Sequence, residues 1–389
     1  MKAIVNADII VENDILKGHA VLFDERIIKI SKECDINISG LEEVIDAENK
    51  YLSPGFIDIH IHGCRGNDTM DDSDSSILNI SKDIAATGVT AFLPATMTME
   101  FSIIKEAFKR IRRLMGNEQG ASILGCYLEG PYISEAYKGA HDGKHIKKPD
   151  FKCIEGFADV IRIAAIAPEE EGAEEFIESC ARKGIVAAIG HTGASYWQAI
   201  RAIQKGAGLV THTFNAMTPL HHRDPGVVGA AMDSDVSCEL IADNIHVDSA
   251  VQRILFKVKG IEGIILVTDA MKACLLEDGE YDLGGQKVLV KGDEARLLAG
   301  NLAGSVLTLN KALKNFISNT GASLVDAVKT TTENPAKLLG IYETKGSLAI
   351  GKDADFTLFD GKFNIYSTYV KGKKVYERLN HENSNCQGL

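Results

Sequence analysis

Short apolar runs recur between residues 53 and 270, at about 53–60, 89–95, 122–128, 161–167, 185–190, 208–212, 237–242 and 263–268. Runs this brief, bounded by turn residues, predict strands buried on both faces. Most are separated by stretches with helical spacing that close on a glycine, as at 73–87 before Gly88 and 195–205 before Gly206. Glycine there supplies the left-handed cap that ends a helix. Strand alternating with helix predicts parallel strands, because each helix returns the chain to start the next strand in the same direction. Eight such units are the count for a closed (β/α)8 TIM-like barrel, with an open doubly wound sheet as the alternative.

The flanks are patterned differently. Residues 1–50 carry β-like runs at 3–7, 19–23 and 26–30, and residues 345–380 carry others at 355–359, 364–370 and 374–376, all punctuated by turn residues. Neither flank could bury a core alone. The simplest expectation is that both ends pair into one small β-sandwich domain (1–52 and 345–389), with the barrel (53–344) inserted between them. No internal repeat is evident, and the polar tail after Leu379 is expected to be disordered.

Composition narrows the function classes. At 389 residues, 45% hydrophobic and 25% charged, the chain is ordinary globular material. Its net charge of −12 argues against a nucleic-acid or anionic-membrane partner, so an anionic small substrate would need a local basic pocket. The first residues, Met1 to Asp8, lack the apolar centre of a signal peptide, and no run of about 18 apolar residues suggests a membrane span. A cytoplasmic location is expected. Cysteines stand at 34, 64, 126, 153, 180, 238, 274 and 386 without C-x-x-C spacing, which argues against a zinc ribbon or disulfide framework. Most are expected to be buried thiols. Cys64 stands just after a histidine pair, where chance placement explains it more simply than a ligand role.

Barrel enzymes carry their chemistry at the C-terminal ends of the strands. The first run leaves Pro54-Gly55 and ends in His60 and His62, whose spacing of two puts both on one face of a strand. The third runs into Glu129-Gly130-Pro131, the fifth into Gly190-His191, the sixth into His212 and the eighth into Asp269. A lone histidine at a strand end is more often structural, and a lone carboxylate often caps the next helix. Four histidines and two carboxylates at the same end of five strands are different. They would converge on the barrel mouth as N and O ligands of the kind Zn2+ or Fe2+ accepts.

Further motifs accompany these ends: Pro54-Gly55-Phe56-Ile57-Asp58, Leu128-Glu129-Gly130-Pro131, Gly190-His191-Thr192, Thr211-His212-Thr213-Phe214-Asn215-Ala216-Met217 and Arg223-Asp224-Pro225-Gly226. They continue with Ile241-Ala242-Asp243-Asn244-Ile245-His246-Val247-Asp248, Leu266-Val267-Thr268-Asp269-Ala270, Leu302-Ala303-Gly304-Ser305 and Gly351-Lys352-Asp353-Ala354-Asp355. Together, and in this order along nearly the whole chain, they resemble the N-acetylglucosamine-6-phosphate deacetylases of the amidohydrolase superfamily. The His-x-His pair and Gly-Lys-x-Ala-Asp by themselves indicate only the superfamily. Many relatives bridge two metals with a carboxylated lysine on strand 4, but Arg162-Ile163-Ala164-Ala165-Ile166-Ala167-Pro168 contains no lysine, and Glu129 takes that place.

The resemblance implies removal of the acetyl group from N-acetylglucosamine 6-phosphate, in amino-sugar catabolism and recycling. It implies Glu129 as the central metal ligand with His191 and His212. Some members replace the strand-1 histidines by amides and hold one metal; keeping His60 and His62 implies a second ion bridged by Glu129, Zn2+ being the first choice and Fe2+ the second. By the same analogy Asp269 shuttles the proton, and His141, beside Ala140, contacts the substrate and stabilises the oxyanion. Arg223 and His246 suit the phosphate, since both donate charge-assisted hydrogen bonds. Asn215 with Ala216, Asp243-Asn244-Ile245-His246, and Leu302-Ala303-Gly304 resemble the family's sugar-binding segments. Phosphate contacts from a neighbouring subunit would make a homodimer functional. A cyclic-imide hydrolase or nucleobase deaminase would favour a strand-4 lysine or a pocket without the Arg223 partner; a non-enzymatic barrel would have lost ligands.

Overall fold

A computed structural model describes residues 1–378 of the chain. Eight of its strands occupy the apolar runs: β1 (Phe56–Ile61), β2 (Val89–Pro94), β3 (Cys126–Leu128), β4 (Ile161–Ile166), β5 (Val186–Ile189), β6 (Ala207–Val210), β7 (Ser237–Leu240) and β8 (Ile264–Leu266). β1 and β2 pair in parallel, and β3 to β8 form a six-stranded parallel sheet in chain order. Isolated parallel bridges, Ala95 with Tyr127 and Ile61 with Ala270, join β2 to β3 and β1 to the segment after β8. This parallel α/β arrangement is consistent with a (β/α)8 barrel.

The predicted third strand is broken. Ser122 and Ile123 pair with β2, but the chain then kinks through Gly125 before β3 begins. Gly125 adopts φ +141°, and a Cβ there would sit 2.4 Å from the Val160 carbonyl oxygen, so only glycine fits. Helices lie where the spacing puts them. Asp74–Ile84 starts on Ser73 and gives way to a short turn ending at Gly88, at φ +87°. Tyr196–Gln204 starts on a reciprocal cap between Ser195 and Gln198, which satisfies otherwise orphaned N–H groups.

Both chain ends enter one eight-stranded sheet, meeting where Phe356–Phe359 runs antiparallel to Tyr51–Pro54. Phe23, Phe356 and Tyr369 anchor its own apolar cluster, with the Phe23 and Phe356 rings 5.0 Å apart. The sheet is also tied to the parallel strands. Thr357 and Thr368 hydroxyls donate to the Gly88 and Ala85 carbonyls at 2.6 and 2.7 Å, and Phe359 and Ile365 pack into the main core. The Gly351-Lys352-Asp353-Ala354-Asp355 motif serves this junction: Lys345 Nζ lies 2.5 Å from Asp355 Oδ2 and 2.9 Å from Asp353 Oδ2, with Lys345 and Asp355 both buried.

Some elements had no counterpart in the pattern of runs. After β8 the chain forms an antiparallel three-stranded sheet, Gly279–Leu283, Gln286–Lys291 and Glu294–Leu297. Its inward residues Leu283, Val288 and Val290 pack with Met97, Met271 and Ala140, and the Gln286 side-chain amide donates to the Ala140 carbonyl. Its alternating burial made it too polar to stand out. Cysteines 64, 126, 180, 238 and 274 are buried thiols, whereas Cys34 and Cys153 are exposed. Cys386 and the tail after Leu379 lie outside the described residues. Among those described, no helix is long and apolar enough to cross a membrane.

Candidate metal centre

The strand ends turn sharply to present their side chains. His191, His212 and Asp269 all have positive φ, at +48°, +26° and +49°. Such backbone is costly for residues other than glycine and persists only where its surroundings hold it. Here the hold is visible: the Asp269 N–H donates to the His60 carbonyl at 2.9 Å, the Ser134 N–H to the His191 carbonyl at 2.9 Å, and the His212 N–H to Glu239 Oε2 at 2.9 Å. His60 and His62, two apart on β1, place their rings 5.4 Å from each other.

Glu129 is the hub. Its Oε1 lies 3.1 Å from His191 Nε2, 3.2 Å from His212 Nε2 and 3.4 Å from His60 Nε2, and its Oε2 lies 3.0 Å from His62 Nε2 and 3.6 Å from His141 Nε2. Asp269 Oδ1 is 3.1 Å from His62 Nε2 and 3.6 Å from His60 Nε2. Two adjoining sets of ligand atoms result, His60 with His62 and Asp269, and Glu129 with His141 and His191, while His212 Nε2 stands 3.0 Å from His191 Nε2. All seven side chains are buried.

Burial opposes charge on these groups, and their neighbours overcome it. Asp269 is held down at about 2 against burial by His60 and His62, and Glu129 stays well below the carboxylate range against burial because of His60 and the surrounding histidines. His62 is pushed up to about 10 against burial by Asp269 and Glu129. His191 moves the other way, to about 4, through burial and the adjacent His141 and His212. Among the described residues, no lysine or arginine lines the cavity. The carboxylates therefore require positive charge from protonated histidines or from a cation.

The donor set fits a divalent ion. His60 Nε2 is buried without a hydrogen-bond partner although it faces two carboxylates, and imidazole nitrogens mixed with carboxylate oxygens suit Zn2+ or Fe2+. Sequence reasoning overlooked Glu239. This residue sits within β7, fully buried, with Oε2 2.9 Å from His60 Nδ1. The available signal was a lone glutamate inside the apolar strand Ser237–Leu240, since an unpaired buried glutamate is rare.

The centre forms the floor of a cavity of about 330 Å3, whose wall includes Ala140, His141, Asn215, Ala216, His246, Leu302 and Gly304. The Thr98 N–H donates to His141 Nδ1 at 3.1 Å, so neutral His141 carries its proton on Nε2, toward Glu129. Asp243 stands behind the wall with Oδ2 2.6 Å from His246 Nδ1, and its Oδ1 accepts the Ile245 and His246 N–H groups at 2.8 Å. Asn244 is exposed, Ile245 half-buried and Ala303 buried; none of them lines the cavity. Arg223 is exposed beside His222, 3.0 Å from its Nε2, and also lies outside the lining. Tyr137 and Asn301 line the cavity without having been singled out by sequence.

Comparison with known proteins gives a consistent picture. The Amidohydrolase family model matches residues 51–375. The N-acetylglucosamine-6-phosphate deacetylase of Bacillus subtilis (strain 168) is 38% identical over 378 residues, covering 95% of each chain. A crystal structure of N-acetylglucosamine-6-phosphate deacetylase from Pasteurella multocida superposes with TM-score 0.92 at 32% identity, covering 96% of this chain and 99% of that one. A mutant of the Mycobacterium smegmatis enzyme in complex with N-acetyl-D-glucosamine-6-phosphate superposes with TM-score 0.89 at 28% identity, with the same coverage.

Proposed function

The chain belongs to the amidohydrolase family, and on that footing we propose that it hydrolyses N-acetylglucosamine 6-phosphate to glucosamine 6-phosphate and acetate, in amino-sugar catabolism and recycling. The observation that carries this reading is the convergence of Glu129, four strand-end histidines and Asp269 on one cavity floor. Glu129, His191 and His212 would hold one ion, and His60 and His62, with Glu129 between the two sets, would hold a second. Zn2+ is the first choice and Fe2+ the second. A divalent cation there would lower the pKa of water from 15.7 toward about 7 and polarise the acetyl carbonyl. Cations there would also balance charge, because among the described residues no lysine or arginine lines the cavity that Glu129 and Asp269 face.

The chain's own groups then move the proton. Asp269, held ionised, takes a proton from the attacking water as that water adds to the acetyl carbon. As the C–N bond breaks, the same carboxyl delivers the proton to the sugar nitrogen. An amide anion is too basic to leave unprotonated. His141 Nε2–H, oriented by the Thr98 N–H, donates to the carbonyl oxygen as negative charge develops there. His246, held by Asp243, and Arg223 receive the phosphate. Because Arg223 is exposed and outside the cavity of its own chain, the reading assigns it to the phosphate of a neighbouring subunit in a homodimer.

The same reading takes the parallel strands as a closed eight-stranded barrel (53–344), the terminal sheet as a small β-sandwich domain (1–52 and 345–389), and the location as cytoplasmic. Metal analysis of purified protein, with acetate release from the 6-phosphates of N-acetylglucosamine and N-acetylgalactosamine and from unphosphorylated N-acetylglucosamine, tests the proposal. Preferred turnover of the N-acetylglucosamine phosphate is expected. Equal turnover of the unphosphorylated sugar removes the roles given to Arg223 and His246, and preference for the galactosamine phosphate changes the substrate.

A further inference from the structure

His60 is held from behind more firmly than its neighbours. Its Nδ1 lies 2.9 Å from Glu239 Oε2, and its ring stacks on Tyr127 with centroids 4.4 Å apart and an interplanar angle of 27°. Tyr127 is itself pinned by a 2.8 Å hydrogen bond to the Thr211 hydroxyl. A carboxylate accepts and does not donate, so the proton of this contact resides on His60 Nδ1. The lone pair of neutral His60 is then on Nε2, the buried atom without a hydrogen-bond partner, 3.4 Å from Glu129 and 3.6 Å from Asp269. His62 has no such support: its Nδ1 is buried and without a hydrogen-bond partner.

Glu239 joins the two halves of the centre. The oxygen that accepts from His60 also accepts the His212 N–H at 2.9 Å, while its other oxygen is buried and unpaired. An ionised carboxylate half satisfied in a fully buried site is costly unless positive charge lies close by. Its side-chain contact with the centre is to His60, at 2.9 Å. A partner of this kind fixes the tautomer and raises the basicity of a ligating histidine, and its loss costs about 10–100-fold in metal affinity.

We propose that Glu239 is the positioning residue for the second ion: by holding the proton on His60 Nδ1 it presents Nε2 as a ligand, and so sets whether the His60–His62–Asp269 half of the centre is filled. This rests on the two-ion reading above. The Glu129–His191–His212 half meets Glu239 through the backbone N–H of His212 and not through a ligand nitrogen, and His191 Nδ1 is oriented separately, 3.0 Å from the Tyr137 carbonyl oxygen.

The test is Zn2+ titration calorimetry on the metal-stripped full-length chain, comparing wild type, Glu239→Gln and His60→Asn. Glutamine keeps the volume and an acceptor for the His212 N–H, but its amide group can donate to Nδ1 and so no longer imposes the tautomer. Ring 15N NMR of histidine-labelled protein, with His60→Asn as the assignment control, reads the tautomer directly. In Glu239→Gln the second binding step should weaken about 10–100-fold with the first unchanged, and the Nδ1-protonated signal of His60 should be lost. Wild-type affinity in both steps would overturn the role of Glu239, as would equal weakening of both steps, which marks a merely structural residue. A wild type that binds no ion overturns the metal reading itself, and a wild type that binds one overturns the two-ion premise.

Discussion

Asp269→Asn separates proton transfer from everything else Asp269 does. Asparagine has the same shape, keeps an oxygen near the position now 3.1 Å from His62 Nε2, and tolerates the left-handed backbone at φ +49°. Alanine would add strain of about 1–3 kcal/mol at that position and confuse the result. What asparagine cannot do is accept and return a proton. General acid–base catalysis is worth about 10^2–10^4 in rate, so kcat should fall by that factor, or about 2.7–5.4 kcal/mol at 1.36 kcal/mol per tenfold. Acetate release at saturating substrate measures the loss, and plasma emission spectrometry of the same preparation measures the metal. Metal content should be unchanged and kcat lowered at least a hundredfold. A variant with full metal and more than a tenth of wild-type kcat would refute it and move the shuttle elsewhere; loss of metal along with activity would show Asp269 to be a ligand first.

The remaining predictions address other parts of the molecule. Chelation should abolish activity, Zn2+ should restore it, and the melting midpoint should fall, since a ligand at 100 times its Kd contributes about 2.7 kcal/mol; undiminished turnover after exhaustive chelation excludes the metal. Arg223→Ala should lower kcat/KM on the 6-phosphate about 10–100-fold, matching a charged hydrogen bond of about 1.5–3 kcal/mol, while leaving the slow rate on unphosphorylated sugar unchanged; equal losses on both would remove its phosphate role. Breaking the buried Lys345–Asp355 pair with Asp355→Ala should cost about 3–5 kcal/mol in urea unfolding. The double variant Lys345→Met/Asp355→Leu should lose less than the two single changes summed, and strict additivity would contradict the coupling.

Much of the architecture was legible because its signals are local. The strand runs and the glycines that stop helices are short-range patterns, and the structure puts β1 to β8 within a few residues of their predicted bounds. The exceptions have physical causes. Gly125 breaks the third strand because Val160 approaches too closely for any side chain, a contact invisible from residues 122–128. The antiparallel sheet after β8 has one wet face, so its apolar residues alternate with charged ones. Most of the cysteines are expected from sequence to be buried, and five of the seven described are, Cys34 and Cys153 being exposed.

The candidate site divides in the same way. Strand-end residues such as His191, His212 and Asp269 could be picked out by position alone, since the chemistry of a parallel barrel lies at one end. Glu239 could not, because it lies inside β7 and acquires meaning only from His60, 179 residues away. Nor could sequence tell that Asp243 backs His246 instead of lining the cavity, or that Arg223 stands outside the cavity wall.

Residue type and periodicity by themselves determined which segments become strands and which residues end them, because a strand's period and a glycine's freedom are properties of a few neighbouring residues. Tertiary structure alone decided which of those ends meet, at what distance and with which nitrogen forward. Those outcomes depend on the accumulated register and twist of all eight strands, and on buried partners such as Glu239 that no local pattern specifies.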